Sequence, residues 1–148
     1  PFTARRCEMC VHDYKSSFGS QVVYYGPLYG NEKEDFLSEI DLFVFPTVYS
    51  NEAYPLVVVE ALNAGLPTIT TRRGCLKSMV ASGEFAIGEG DDFVNNATDT
   101  IRSLCARPSE YRKASVTALR RATALEQVAR KQFEQLVDGL LGRENDSI

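Results

Sequence analysis

Two acids, Glu52 and Glu60, stand with seven residues between them. Glu52 lies in the polar stretch Ser50-Asn51-Glu52-Ala53-Tyr54, and Glu60 lies inside the apolar run Val57-Val58-Val59-Glu60-Ala61-Leu62. A carboxylate among such neighbours is costly to bury unless something hydrogen-bonds it. Between the two acids comes Pro55, which suits the first turn of a helix because its missing N–H would have had no partner there. The free N–H groups at such an end bind phosphate, helped by the helix dipole. Counted from Pro55 at 1.5 Å per residue, Glu60 would lie roughly 8 Å into the helix. Carboxylates accept hydrogen bonds from hydroxyls, so the spacing suits one ligand with hydroxyls at both ends and phosphate between them. A nucleoside diphosphate sugar is such a ligand. Taken singly, each glutamate reads as an ordinary solvated surface acid; the elements around the pair are what turn the balance.

Those elements follow the pattern of a layered α/β chain. Leu42-Phe43-Val44-Phe45 is a continuous apolar run ended by Pro46, as expected of a parallel strand covered on both faces. The helix from Pro55 is expected to run to about Ala64, with Gly65 stopping it before a strand from Pro67 to Thr71. A loop with an acid, a helix with an acid and strands on either side place a ligand site at the carboxyl edge of a parallel sheet. Upstream, Val22–Tyr25 reads as a strand closed by Gly26-Pro27, and Asn31–Ile40 as a short helix. Residues 1–20 show no clear period, and Ser16–Ser20 reads as a loop. Downstream, Arg73–Ala81 reads as a weaker helix and Phe85–Ile87 as a short strand. A helix with Phe93, Val94, Ala97, Ile101 and Leu104 follows, broken at Arg107-Pro108-Ser109. Leu125, Val128, Ala129, Phe133, Leu136, Val137, Leu140 and Leu141 then mark one face of a long amphipathic helix. The order β-α-β-α-β-α-β followed by helices indicates an α/β domain with a mainly parallel sheet.

Length and composition set outer bounds. The chain has 148 residues, 44% hydrophobic and 24% charged, as in an ordinary globular protein of one domain. A net charge of −4 argues against a nucleic-acid groove. No apolar run reaches the length of a membrane span, and no secretory signal is visible. Four cysteines, Cys7, Cys10, Cys75 and Cys105, are too few and scattered for a disulfide scaffold, which favours reduced thiols and a cytoplasmic setting.

Other signals are weaker. Cys7, Cys10 and His12 supply three zinc ligands where a structural site needs four, so no metal is expected. His12 is the single histidine, and Asp13 beside it does not make a triad. Gly83, Gly88 and Gly90 form no dinucleotide fingerprint, and there is no P-loop. Arg112, Lys113, Arg120, Arg121, Arg130 and Lys131 bias the tail towards positive charge. A solvated helix face interspersed with Glu126 and Glu134 is the plainer reading; a peripheral contact at the inner face of a membrane is the other.

From about Val22 to Gly90 the chain resembles the carboxy-terminal, nucleotide-binding half of a GT-B glycosyltransferase of the family 4 (group 1) type. The matching pieces are Val22-Val23-Tyr24-Tyr25-Gly26, Asp41-Leu42-Phe43-Val44-Phe45-Pro46, Glu52 with Glu60-Ala61, Gly65-Leu66-Pro67 and Gly74. The resemblance implies a Rossmann-like parallel sheet flanked by helices, with a helical tail over 91–142. It implies transfer of a sugar from a nucleotide donor with retention and without an essential metal or other cofactor. By the same resemblance Glu52 contacts the donor sugar, Glu60 binds the ribose hydroxyls, and the backbone of Ala53, Tyr54, Pro55 and Leu56 faces the diphosphate. The family's basic pair for the diphosphate does not precede Val22, Pro55 stands where glycine is common, and Lys77 where an acid is common. The whole of 1–148 is therefore expected to be one amino-terminally truncated domain, inactive alone, whose partner is an acceptor-binding half. The alternative is a non-catalytic nucleotide-sugar-binding or interaction module that keeps the fold; another kind of GT-B enzyme, a phosphorylase or an epimerase, also stays open.

Overall fold

The computed structural model describes residues 13–49, 51–80, 86–87 and 91–142. The zinc candidates Cys7, Cys10 and His12, and the glycines 83, 88 and 90, lie outside them. The chain divides into two compact units, 1–36 and 37–148.

In the first unit, residues 13–18 are helical (α1) and run into a 3₁₀ turn, Gly19–Gln21. The loop expected over Ser16–Ser20 is thus helical instead. Tyr14 and Phe18, four apart, stack with ring centroids 6.1 Å apart, the pairing that one helical turn makes available. The strand expected at Val22–Tyr25 is also corrected: these residues pair with no strand among those described, and Val23, Tyr24 and Tyr25 are exposed. β-favouring side chains describe a surface that fits a pleated sheet, and without a ladder they do not make a strand. Tyr25 instead meets Phe36 edge-on at 5.3 Å. Helix α2, Gly30–Glu39, carries that phenylalanine.

The second unit holds the sheet. Strand β1 is Phe43–Phe45, helix α3 Leu56–Asn63, strand β2 Thr68–Thr71, helix α4 Leu76–Met79 and strand β3 Ala86–Ile87. The three strands are parallel in the order β1-β2-β3, with Val44 opposite Ile69 and Thr71 opposite Ile87. All four residues of β2 are buried, the signature of a central parallel strand. Its buried hydroxyls are satisfied locally: Thr68 donates to the Leu66 carbonyl and Thr70 to that of Thr71, both at 3.0 Å.

Helix α3 ends as its sequence dictates. Gly65 has φ of +74°, Leu66 N–H donates to Ala61 O and Gly65 N–H to Leu62 O, each at 3.0 Å, which is a Schellman close. The helix buries Val58, Ala61 and Leu62, and Val58 and Leu62 join a cluster with Leu76, Met79, Val80, Ala118 and Ala122. Each large side chain there contributes about 1.5–3 kcal/mol by leaving water. Helix α4 is one turn rather than the longer helix expected from Arg73, because Gly74 takes φ of +52° and breaks the helical path before Leu76.

Helix α5, Asp91–Ala106, lays Phe93, Ala97 and Ile101 at intervals of four against Ile69 of β2, with Leu42 alongside. The break at Arg107 is a single residue; Pro108 opens helix α6, Pro108–Leu140. Ala114, Ala118 and Ala122 form its buried stripe, and their small size lets it approach α3 closely. The apolar face expected over 125–141 is present but lies mostly in solvent, with Val128, Phe133, Leu136 and Leu140 more than half exposed. No helix of the described residues is long and apolar enough to cross a membrane.

Candidate functional site

The carboxyl ends of β1 and β2 open onto two neighbouring loops. The first, 46–55, carries Glu52 and leads into α3; the second, 72–75, leads into α4. Pro55 is buried and sits at the cap of α3 with extended backbone (φ −71°, ψ 108°), so the helix proper starts one residue later, at Leu56. No side chain caps this end. Its first turn closes with Val58 N–H donating to Pro55 O at 3.0 Å. The amides of Leu56 and Val57 precede that bond, in the position where a helix has no acceptor of its own.

Glu60 is the fifth residue of α3 and shares its less buried face with Leu56 and Asn63, opposite the core stripe of Val58, Ala61 and Leu62. It is half-buried and already engaged by another group of the chain. Glu52 is half-buried as well. Its N–H donates to Tyr49 O at 3.3 Å, and Thr47 donates its hydroxyl to Glu52 Oε2 at 3.2 Å. Ala53 and Tyr54 are exposed, and so is Leu56, at 67%. The structure therefore brings Glu52, Ala53, Tyr54, Pro55 and Leu56 into one loop and helix entry, with Glu60 one turn further on.

Residues to which the sequence assigns no role at the site complete the surroundings. Thr71, at the end of β2, donates its hydroxyl to Thr47 O at 2.9 Å. Cys75 directs its thiol at the Ala53 carbonyl and lies 3.3 Å from Met79 Sδ. Burial pushes the Cys75 thiol above its ordinary pKa, and the nearby charge of Glu52 pushes the same way against an opposing backbone hydrogen bond. Gly74 presses its Cα against Glu52 O; a side chain there would collide with that carbonyl. Arg72 and Arg73 follow β2 onto the same edge, and both have partners in the chain. The contacts of Thr71 with Thr47, Cys75 with Ala53 and Gly74 with Glu52 have no signal in local sequence, because each joins residues more than twenty positions apart.

The basic tail residues divide. Arg121 is half-buried and closes α4 from outside, donating to Met79 O at 3.0 Å and to Ser78 O. Lys113 pairs with Glu110 at 3.5 Å and Arg130 with Glu126 at 3.6 Å on exposed faces. No group of three or more potential metal ligands occurs among the described residues.

A parallel sheet with an acid-bearing loop at its carboxyl edge and an uncapped helix behind it defines a class, and comparison with known proteins agrees. The chain belongs to the family of glycosyl transferases group 1, whose model matches residues 8–121. It is similar to the sulfoquinovosyl transferase SQD2 of Arabidopsis thaliana, at 30% identity over 91 residues, covering 58% of this chain and 17% of that protein. Among solved structures it is similar to a sucrose-phosphate synthase from Thermosynechococcus elongatus, with a TM-score of 0.76 and 26% identity, over 95% of this chain and 35% of that one. The chain thus spans about a third or less of the length of these relatives. Its fold is α/β, a parallel sheet flanked by helices with a helical tail, and part of a GT-B fold.

Proposed function

We propose that this chain forms the donor site of a retaining, metal-independent glycosyltransferase that takes its sugar from a nucleoside diphosphate donor. The observation that carries the reading is the uncapped start of α3, flanked by Glu52 in the loop before it and Glu60 one turn inside it. Glu52 contacts the transferred sugar, Glu60 accepts hydrogen bonds from the ribose hydroxyls, and the backbone from Ala53 to Leu56 faces the diphosphate. When the bond from the anomeric carbon to the phosphate oxygen breaks, negative charge grows on the leaving diphosphate. The amides and dipole at the start of α3 are already aimed where that charge develops, which lowers the barrier without reorganisation. A family relative named for sulfoquinovosyl transfer and another for sucrose-phosphate synthesis support sugar transfer as the chemistry. In this reading the whole of 1–148 acts as one donor domain, with the motif core at 22–90 and the tail at 91–142. An acceptor-binding half from outside this chain completes the cleft.

Ligand-observed NMR of the chain with UDP, GDP and ADP and their sugar conjugates tests this. One nucleotide series is expected to bind, and Glu60→Ala to abolish its signal. Binding that ignores Glu60 removes the ribose assignment. No binding of any nucleotide, by this chain and by a longer one carrying the acceptor half, removes the donor-site reading.

A further inference from the structure

The loop that carries Glu52 has little structure of its own, yet it is tied at Thr47 to the end of β2 and at Glu52 and Ala53 to the segment following that strand. Thr47 is the hub. Its carbonyl is held by Thr71, which belongs to the fully buried central strand, at 2.9 Å. Its hydroxyl accepts from Tyr49 N–H at 3.2 Å and donates to Glu52 Oε2 at 3.2 Å. Gly74 closes the other side: with φ of +52° and no Cβ it lets the chain pass directly against Glu52 O, where any side chain would collide. A carboxylate on a three-bond side chain in an open loop would otherwise sample several rotamers, and ordering it after the ligand arrives costs affinity.

We infer that Thr47 is a positioning residue that orients the Glu52 carboxylate for the donor sugar, anchored to the sheet through Thr71 and backed by the close passage of Gly74. The inference rests on the donor-site reading of Glu52. Thr47 touches no substrate in this arrangement; it acts through the acid. Its effect is therefore confined to the sugar end of the ligand, because the ribose contact at Glu60 and the amides of α3 do not depend on it.

Two measurements on the same chain test it, with Thr47→Val removing the hydroxyl at constant shape and Thr47→Ser restoring it. In titrations, Thr47→Val is expected to weaken the sugar conjugate about threefold to tenfold, the worth of one hydrogen bond to a charged group. The bare nucleoside diphosphate should stay within about twofold of wild type, and Thr47→Ser should bind both as wild type does. Equal weakening of both ligands, or of neither, overturns the inference. In the ligand-free chain, three-bond couplings of Glu52 report whether its side chain keeps one rotamer. Thr47→Val should average them and Thr47→Ser should not; couplings unchanged by Thr47→Val overturn the inference without any ligand. If neither the wild-type chain nor a longer one carrying the acceptor half binds a nucleotide while the couplings behave as expected, the donor-site reading is refuted and the clamp on Glu52 stands.

Discussion

Replacing Gly74 by alanine tests the contact between the two site loops on a scale that can be worked out beforehand. Two glycines of the same unit, Gly65 and Gly74, hold left-handed backbone, at φ of +74° and +52°. An L-residue pays about 1–2 kcal/mol for that conformation, offset by about 0.4–1 kcal/mol because alanine narrows the unfolded ensemble. Gly65→Ala brings its new Cβ to 3.3 Å from Leu119 Cγ and 3.4 Å from Ser115 Oγ, side-chain atoms that can give way. Its cost is therefore about 0–1.6 kcal/mol. At Gly74 the new atom meets the Glu52 carbonyl, which moves only if a loop moves, so the strain of overpacking adds about 1–3 kcal/mol and the total is about 1–4.6 kcal/mol. Urea unfolding followed by tryptophan is closed to this protein, which has none. Tyrosine fluorescence and near-ultraviolet circular dichroism serve instead, read as midpoint shifts at constant slope. If the two alanine variants agree within about 0.5 kcal/mol, the close passage of Gly74 against Glu52 does not exist and the reasoning built on it fails.

Four further outcomes follow from the same geometry. Arg121→Ala should destabilise the chain by about 1–3 kcal/mol in urea, since it strips the carbonyls of Ser78 and Met79 of a charged donor, and Arg121→Lys should recover only part of this. Alkylation followed by peptide mapping at mildly alkaline pH should label the exposed Cys105 well before Cys75. Because burial raises the folded thiol of Cys75 above its unfolded value, its contribution to stability is complete below the unfolded pKa. It is lost as pH climbs through the folded one; a Cys75→Ser variant should flatten that alkaline decline. Leu62→Ala should cost about 2–5 kcal/mol, whereas Phe133→Ser, at a site 66% exposed, should change stability by less than about 0.5 kcal/mol.

The parts of this fold that could be read from sequence are those with punctuation. Pro46, Pro55, Gly65 and Pro67 bracket β1, α3 and β2 so tightly that the helix limits fall within one residue of expectation. Glu52 and Glu60 could be placed on loop and helix for the same reason. Where punctuation was lacking, composition misled: Val22–Tyr25 has strand residues but no partner strand among the described residues. Gly74 stands among the pieces that carry the resemblance, yet only its φ and the Glu52 carbonyl behind it explain why α4 is a single turn. The first half of α6 was underread because alanines at 114, 118 and 122 carry little hydrophobic signal, although close packing depends on their smallness. Thr47 and Thr71 were invisible as partners, since nothing local announces a bond between residues 24 apart.

The length of α6 has a consequence for how this molecule melts. At 1.5 Å per residue its 33 residues extend for about 50 Å, and none of the described residues after Ala122 is buried. The distal turns rely on intrinsic helicity and on surface pairs such as Glu126–Arg130, which are worth only tenths of a kcal/mol. Warming should therefore unwind the helix inward from Leu140 while the sheet and α3 remain intact. Amide exchange along α6 would form a gradient, slow near Ala118 and fast towards Leu140. Ellipticity at 222 nm would decline ahead of the near-ultraviolet aromatic signal, so a midpoint taken from helix content alone would describe the fraying of one rod and not the cooperative loss of the core.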